Sequence, residues 1–582
     1  MITLAILSLV TYLAHRCWTH FRTQFAFLQR IKAYQALTPF SNTPQVLDPV
    51  WTPLQYGSIP PWLNGVMYRV GPGRYNLGSD DNSYMIKHAF DGMPFMHRFE
   101  LSAKQQAVRY NSRHLAESVE RDLVQGHGKQ MAFFGHVQEL SLWDMMGAVA
   151  SRFKIVVNGL KIPDNDASAA MVGVTATPNY PRPLAWTTKD PFLVAKTDLN
   201  LLQQVHPESL EPKKLYKYGE YDSRIQGDLS AAHHQYDPVT EEVFNFSLKL
   251  GPVPKLTVFS ISSTGQVSIL AEITHRKLPG NSSKSSNSRI RPSYIHSFFL
   301  TRNYIVIPEY PLYYEGLDFL ITGNAMASMR WDDHAPTTYF HVIGRRPDIG
   351  HVVSIPTNGF YSFHGANAWD SVDMDGNPVI ELDVCAFPDG DILYQLHTFG
   401  TFWRSMDATT MMATAVLKDK PKGMTLPPKR QDSFGDLRRY RVTWSGASYR
   451  TLATNIEFAR FSQHYALKPY RYVWGCQFKK PLNGEYERYA VVKVDLDTGA
   501  ITQHDSTHMT FSEPIFVPKP GSEEQEDEGV VVCLGTSDEG SYLVLLDAKT
   551  MEKVAQSHLG PFSISTFHGS FVDEEFQNVS IN

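Results

Sequence analysis

Four histidines in this 582-residue chain share similar local surroundings, and imidazole is a side chain that can hold a metal ion. They are His233 in SAAHHQYDP, His296 in RPSYIHSFFL, His364 in FYSFHGANAWD and His568 in ISTFHGSFV. Each follows an apolar or β-prone stretch and precedes a Gly, Asn or Asp-Pro turn signal or a new strand. Four imidazoles gathered from such distant segments imply a metal held by the fold itself, not by a local finger. The gaps are 63, 68 and 204 residues, and the last is three times the second. A repeated unit contributing one inward strand each time would give that series. The competing explanation is coincidence, since the chain holds 22 histidines. His234 beside His233 would point to the opposite face of a strand.

Neutral imidazole suits iron, zinc, copper and nickel alike, so the four residues alone do not name the metal. Structural zinc brings thiolates at short spacings, which these segments lack. The pattern of two histidines and a carboxylate is missing as well. An all-imidazole site keeps the full charge of its ion, so carboxylates accepting the outer ring N–H would both orient the rings and balance that charge. Three acids stand in apolar, strand-like contexts that make them candidates: Asp198 in VAKTDLN, Glu457 in TNIEFARF and Glu513 in FSEPIFVP. A carboxylate is costly in such a place unless it is hydrogen-bonded. Glu457 and Glu513 are equally compatible with a surface strand.

The elements that must position these residues are β-strands. Beyond residue 40, short β-prone runs alternate with turn clusters, as in YIVIPEY, YFHVIGR, GVVVCLGTS and SYLVLLDA. The phrases HQYDPVTEEVFNF, VKVDLDTGAI and VLLDAKTMEKVA each read as a strand, a tight Asp-containing turn and a returning strand. That is the hairpin of a propeller blade. No strict textual period recurs. Residues 120–160 have the best helical character and are expected to cap one face, and residues 40–582 to form one domain. Three polar stretches, 278–292, 418–436 and 519–529, read as solvated loops.

Residues 1–39 form a separate N-terminal segment. Its first 14 residues are apolar and are followed by basic and aromatic ones. The run is shorter than the roughly 20 residues that span a bilayer. The positive charges follow the apolar run instead of preceding it, unlike a secretory signal. An interfacial membrane anchor is one explanation and a frayed terminus the other.

Composition narrows the classes further. Hydrophobic residues at 42% and charged residues at 19% describe a globular protein with ample core. A net charge of −5 offers no basic face, so no nucleic-acid partner is expected. The four cysteines are far apart, with no CxxC pair, which points to a reducing, cytoplasmic setting. Aromatics at 12% fit either packing between sheets or a tunnel for a long apolar ligand.

At these residues the sequence resembles the carotenoid cleavage oxygenase family. The likeness is carried by AHHQYDPVTEEVFNF, YIHSFFLTRNYIVIPEYPL, FHGANAWD and FHGSFV, with NGVMYRVGPGRYN and KHAFDGMPFMHRFEL near the N-terminus. The resemblance covers about residues 40–575 and selects His233 over His234. It implies an all-β fold, a seven-bladed β-propeller with a helical and loop cap over the metal-bearing axis. It further implies ferrous iron, Fe(2+), held by His233, His296, His364 and His568, with Asp198, Glu457 and Glu513 behind them. At the first of these acids the family often carries Glu, so the Asp here has a shorter reach. The implied activity is cleavage by O2 of a conjugated C=C bond in an apolar polyene, giving two carbonyl fragments.

Residues 169–193 resemble the fungal branch that cleaves torulene or β-carotene. The alternatives are a stilbene-cleaving enzyme of the same fold and a metal-free propeller used as a binding scaffold. A stilbene cleaver would use a Tyr and Lys pair, for which Tyr180 and Lys189 are the nearby candidates. Residues 310–329, apolar and almost uncharged, resemble a family patch that dips into a membrane, and a packed cap helix is the other explanation. Peripheral attachment to a membrane surface is therefore expected.

Overall fold

The computed structural model describes residues 2–32, 40–79, 83–158, 162–163, 165–187, 190–280, 289–393, 433–479 and 488–581. Most of the 278–292 and 418–436 loops, and Lys189, lie outside the described residues.

The chain folds as an all-β propeller. The alternation read from the sequence becomes antiparallel hairpins. Gln235–Asp237 returns as Glu242–Lys249, Arg488–Asp495 as Ile501–His504, and Gly540–Asp547 as Lys553–Gly560. Five separate sheets of four or five strands follow one another along the chain, over residues 175–216, 229–273, 299–358, 365–453 and 457–504. Neighbouring sheets bury aromatic and aliphatic residues between them, and most strands are buried on both faces.

The expected set of seven separate blades is corrected to five. The remaining strands form one eleven-stranded sheet and two small hairpins, Asn76–Leu77 with Tyr84–Met85 and Leu312–Tyr314 with Met329–Trp331. The large sheet is fused by pairing of Val46–Gly57 with Lys553–Gly560, and closed by pairing of Gly65–Arg74 with His568–Val572. Both contacts join the start of the chain to its end. Val46–Gly57 and His568–Val572 are each paired on both sides, so neither is an open edge that would invite pairing with another chain.

Helices are few. The helical stretch expected over 120–160 is split into α2 (Glu117–Val124) and α3 (Leu142–Asn158), after α1 (Ile2–Lys32). The break has a local cause, since Gly126 takes a left-handed conformation at φ 75° just after α2. The 310–329 stretch forms a short strand and two short helices, α4 (Gly316–Thr322) and α5 (Ala325–Ser328). Gly323 ends α4 at φ 61°, and the Asn324 side chain caps α5 by accepting from the Ala327 N–H.

α1 is anchored to this hairpin. His20 Nε2 lies 2.7 Å from Asp318 Oδ1, and Arg330 bonds the other Asp318 oxygen and reaches Gln24 Oε1 at 3.4 Å. No described helix is long and apolar enough to cross a membrane.

Candidate metal centre

Two of the four histidines stand just before the first strand of a sheet, His296 before Phe299–Leu300 and His364 before Gly365–Val372. His233 lies between Leu229–Ser230 and Gln235–Asp237 of one sheet, and His568 begins His568–Val572. Each therefore stands at the entry to a strand, not before a turn. All four are buried, and one potential ligand atom from each lies within 4.8 Å of the others. The His233 ring is 4.7, 4.9 and 4.2 Å from the rings of His296, His364 and His568, and His364 Nε2 is 3.2 Å from His568 Nε2. Neighbouring nitrogens on one ion, with metal–nitrogen distances of about 2.1 Å, would show such a separation. The donor set thus fits a divalent transition-metal ion.

The three acids meet the outer nitrogens of three rings. His296 Nδ1 lies 2.9 Å from Asp198 Oδ2, His364 Nδ1 2.5 Å from Glu457 Oε2 and His568 Nδ1 3.0 Å from Glu513 Oε1. With Nδ1 engaged, Nε2 of each ring is left to face the shared centre. The shorter Asp198 still reaches its ring, and Tyr294 Oη donates to the same Oδ2 at 3.0 Å.

Glu513 sits between two guanidinium groups. Arg69 donates to its Oε2 at 3.2 Å and Arg460 lies 3.6 Å from its Oε1. Burial alone would raise the carboxyl pKa, but His568, Arg460 and Arg69 outweigh it and hold it at about 2. Burial and the neighbouring imidazoles push His233 well below its ordinary value, and burial pushes His568 to about 3. Both rings are consequently neutral, the form that binds metal.

Glu457 is placed by an irregularity. The register with Tyr472–Lys479 shifts between Glu457 and Arg460, and Phe458 adopts φ 56°. A bulky residue is strained there, by about 1–3 kcal/mol. The Phe458 N–H donates to Glu457 Oε2 at 2.6 Å, so the strained residue clamps the carboxylate that holds His364.

His296, His364 and His568 line a cavity of about 1060 Å³, while His233 is not on its wall. Phe90, Phe134, Tyr294, Phe363, Phe458 and Phe567 supply most of the aromatic wall near the histidines. Asp91 keeps Phe134 in place by accepting from the N–H groups of Phe134, Gly135 and His136 at 2.6, 2.8 and 2.7 Å. Arg289, Arg291, Phe153 and the exposed Leu317 line the cavity too.

Tyr180 is not on the wall. It is buried, with its Oη 3.0 Å from Tyr218 Oη. Sequence reasoning missed Arg69, Arg460, Tyr294 and Lys196. The signal that singled out Glu513, a charge inside an apolar run, also marks Arg69 in NGVMYRVGPG, Arg460 in IEFARF and Lys196 in FLVAKTD.

Fold and centre together define a class of propeller enzymes with four clustered histidines. The retinal pigment epithelial membrane protein family (RPE65) matches residues 40–573, and the chain belongs to that family. It is 28% identical to the torulene dioxygenase of Fusarium fujikuroi, over 88% of this chain and 89% of that one. It is equally 28% identical to the carotenoid dioxygenase of Neurospora crassa, covering 89% and 87%. The human mitochondrial carotenoid-cleaving dioxygenase is 27% identical, covering 89% and 87%. Among solved structures, cobalt-substituted Synechocystis apocarotenoid oxygenase superposes with a TM-score of 0.64 at 21% identity, covering 94% of this chain and 99% of that one.

Proposed function

We propose that this protein is a dioxygenase that cleaves a conjugated C=C bond of a carotenoid of the torulene or β-carotene type, giving apocarotenoid aldehydes. The observation that carries this reading is the buried four-histidine cluster opening onto an aromatic cavity. His233, His296, His364 and His568 would hold Fe(II), with Asp198, Glu457 and Glu513 fixing three of the rings. Iron, when bound, supplies the activation of O2.

The chain's own residues do the rest. The aromatic wall binds and orients the polyene and excludes water from the centre. Asp198 and Glu457, two of the carboxylates on the cavity wall, are held by imidazole and N–H partners and fix the rings of His296 and His364.

The stilbene alternative is not favoured. No lysine is among the described residues lining the cavity, so the Tyr and Lys pair it needs has no counterpart there. The metal-free scaffold leaves three histidine–carboxylate pairs unexplained.

The test is elemental analysis of purified protein and of His296→Ala and His568→Ala. The parent should hold about one iron per chain, and both variants should lose metal and activity together. An iron-replete, active double variant would contradict the reading.

Two finer features belong to the same proposal. Residues 40–582 form the catalytic domain, with residues 1–39 preceding it. The protein works in the cytoplasm, attached peripherally to a membrane. The exposed apolar side chains Trp143, Met146, Phe153 and Leu317 on α3 and α4 support such a face near the cavity. Co-sedimentation with phospholipid vesicles should be lost in Trp143→Ser/Phe153→Ser/Leu317→Ser, and unchanged binding would rule this face out.

A further inference from the structure

Three ligand histidines are oriented by a carboxylate, and the fourth is not. Among the described residues no acid reaches His233, and no side-chain hydrogen bond to either of its ring nitrogens is present. Next to it in the chain, and not on the cavity wall, lies a buried polar pair: His234 Nδ1 meets Lys196 Nζ, and both side chains are almost fully enclosed. The Tyr180 ring lies 5.3 Å from the His234 ring and 5.3 Å from Lys196 Nζ. A buried lysine with one partner is costly, and it calls for an explanation beyond packing.

The surrounding bonds show what the pair holds. Every residue from Ser230 to His234 except His233 is fixed by a polar contact. Ser230 N–H donates to the Asp198 carbonyl at 2.9 Å. Ala231 is held by the Asn245 amide, which accepts from its N–H at 3.2 Å and donates to its carbonyl at 3.0 Å. Ala232 N–H donates to Asp198 Oδ1 at 3.3 Å, and its carbonyl accepts from Thr175 Oγ1 at 3.0 Å. His234 is held by Lys196. These contacts tie the ligand segment to the strand Leu193–Lys196 and the Asp198 turn that follows it.

We propose that Lys196 and His234 are the positioning residues of His233, fixing its backbone as the carboxylates fix the other three rings. The proposal rests on the four-histidine metal reading, and Co(II) binding by the parent protein tests that reading separately.

The decisive variant is Lys196→Met/His234→Leu, which removes both polar partners together and leaves no buried group unpaired. Its melting temperature should stay near that of the parent. Its Co(II) affinity should fall by about 10- to 100-fold, with a changed visible absorption band of the bound ion. The conservative His234→Gln, whose amide oxygen still accepts from Lys196, should restore parental binding and spectrum.

Parental Co(II) affinity and spectrum in the folded double variant would overturn the proposal. Should the double variant not fold, His234→Gln decides. Parental binding supports the pair, whereas a tenfold or greater loss at the parental melting temperature refutes it. A parent that binds no Co(II) would instead refute the metal reading.

Discussion

The His568 corner and the His296 corner of the centre perform one task with opposite materials. At His568 the orienting acid, Glu513, is enclosed and bracketed by Arg69 and Arg460, and Arg69 also bonds Thr566 Oγ1 at 3.1 Å and the Phe567 carbonyl at 3.2 Å. At His296 the acid is the shorter Asp198, which faces the cavity and is completed by the neutral Tyr294 hydroxyl. The first corner is built from charges that need one another. The second is built from groups that water could partly replace. The closed corner should therefore govern stability, and the open one should tune the site while costing the fold little.

The largest expected effect is at the closed corner. Glu513→Gln leaves two buried guanidinium groups without a counter-charge and should cost about 3–5 kcal/mol in denaturant unfolding, with loss of bound metal. The acid limb of the same measurement checks the cause. The folded pKa of Glu513, about 2, lies below its unfolded value of about 4.3, so its contribution is complete above the unfolded value and is lost as pH falls towards 2. Metal-free parent should lose that increment between about pH 4 and pH 2, and Glu513→Gln should not. An equal acid response in both would remove the charge cluster as the reason for the closed corner's stability.

Asp198→Asn should act mainly on the metal, lowering Co(II) affinity by about tenfold while unfolding energy changes by about 1 kcal/mol. The smallest effect is expected of Tyr294→Phe, about 0.5–1.5 kcal/mol in unfolding and a several-fold change in KM, since its ring stays in the cavity wall. If Asp198→Asn destabilises the fold as much as Glu513→Gln, the two corners do not differ in kind.

The same contrast explains what the sequence made legible. The four histidines announced themselves by repeated context, and Glu457 and Glu513 by being acids inside apolar runs. Their partners did not. Arg69 reaches Glu513 across 444 positions, and no local pattern encodes such a contact. The hairpins were legible because Asp-containing turns lie between β-prone runs. The joining of blades was not, because it depends on Leu54 meeting Ser557 from opposite ends of the chain. Phe458 was hidden for another reason, since an aromatic residue gives no sign that its backbone will turn left-handed. Lys189 reads in the sequence as a partner of Tyr180, yet the lysine that meets the Tyr180 ring is Lys196, which does not line the cavity.

The central claim is that this centre and its aromatic cavity cleave a carotenoid with O2. Iron-loaded protein should be incubated with ¹⁸O₂ and separate solutions of torulene, β-carotene and resveratrol, and the products identified by mass spectrometry. The account predicts paired aldehydes from a carotenoid, their combined carbon skeleton equal to that of the substrate, with label in the new carbonyls. Intact carotenoids beside protein that demonstrably holds iron, or cleavage of resveratrol alone, would contradict it.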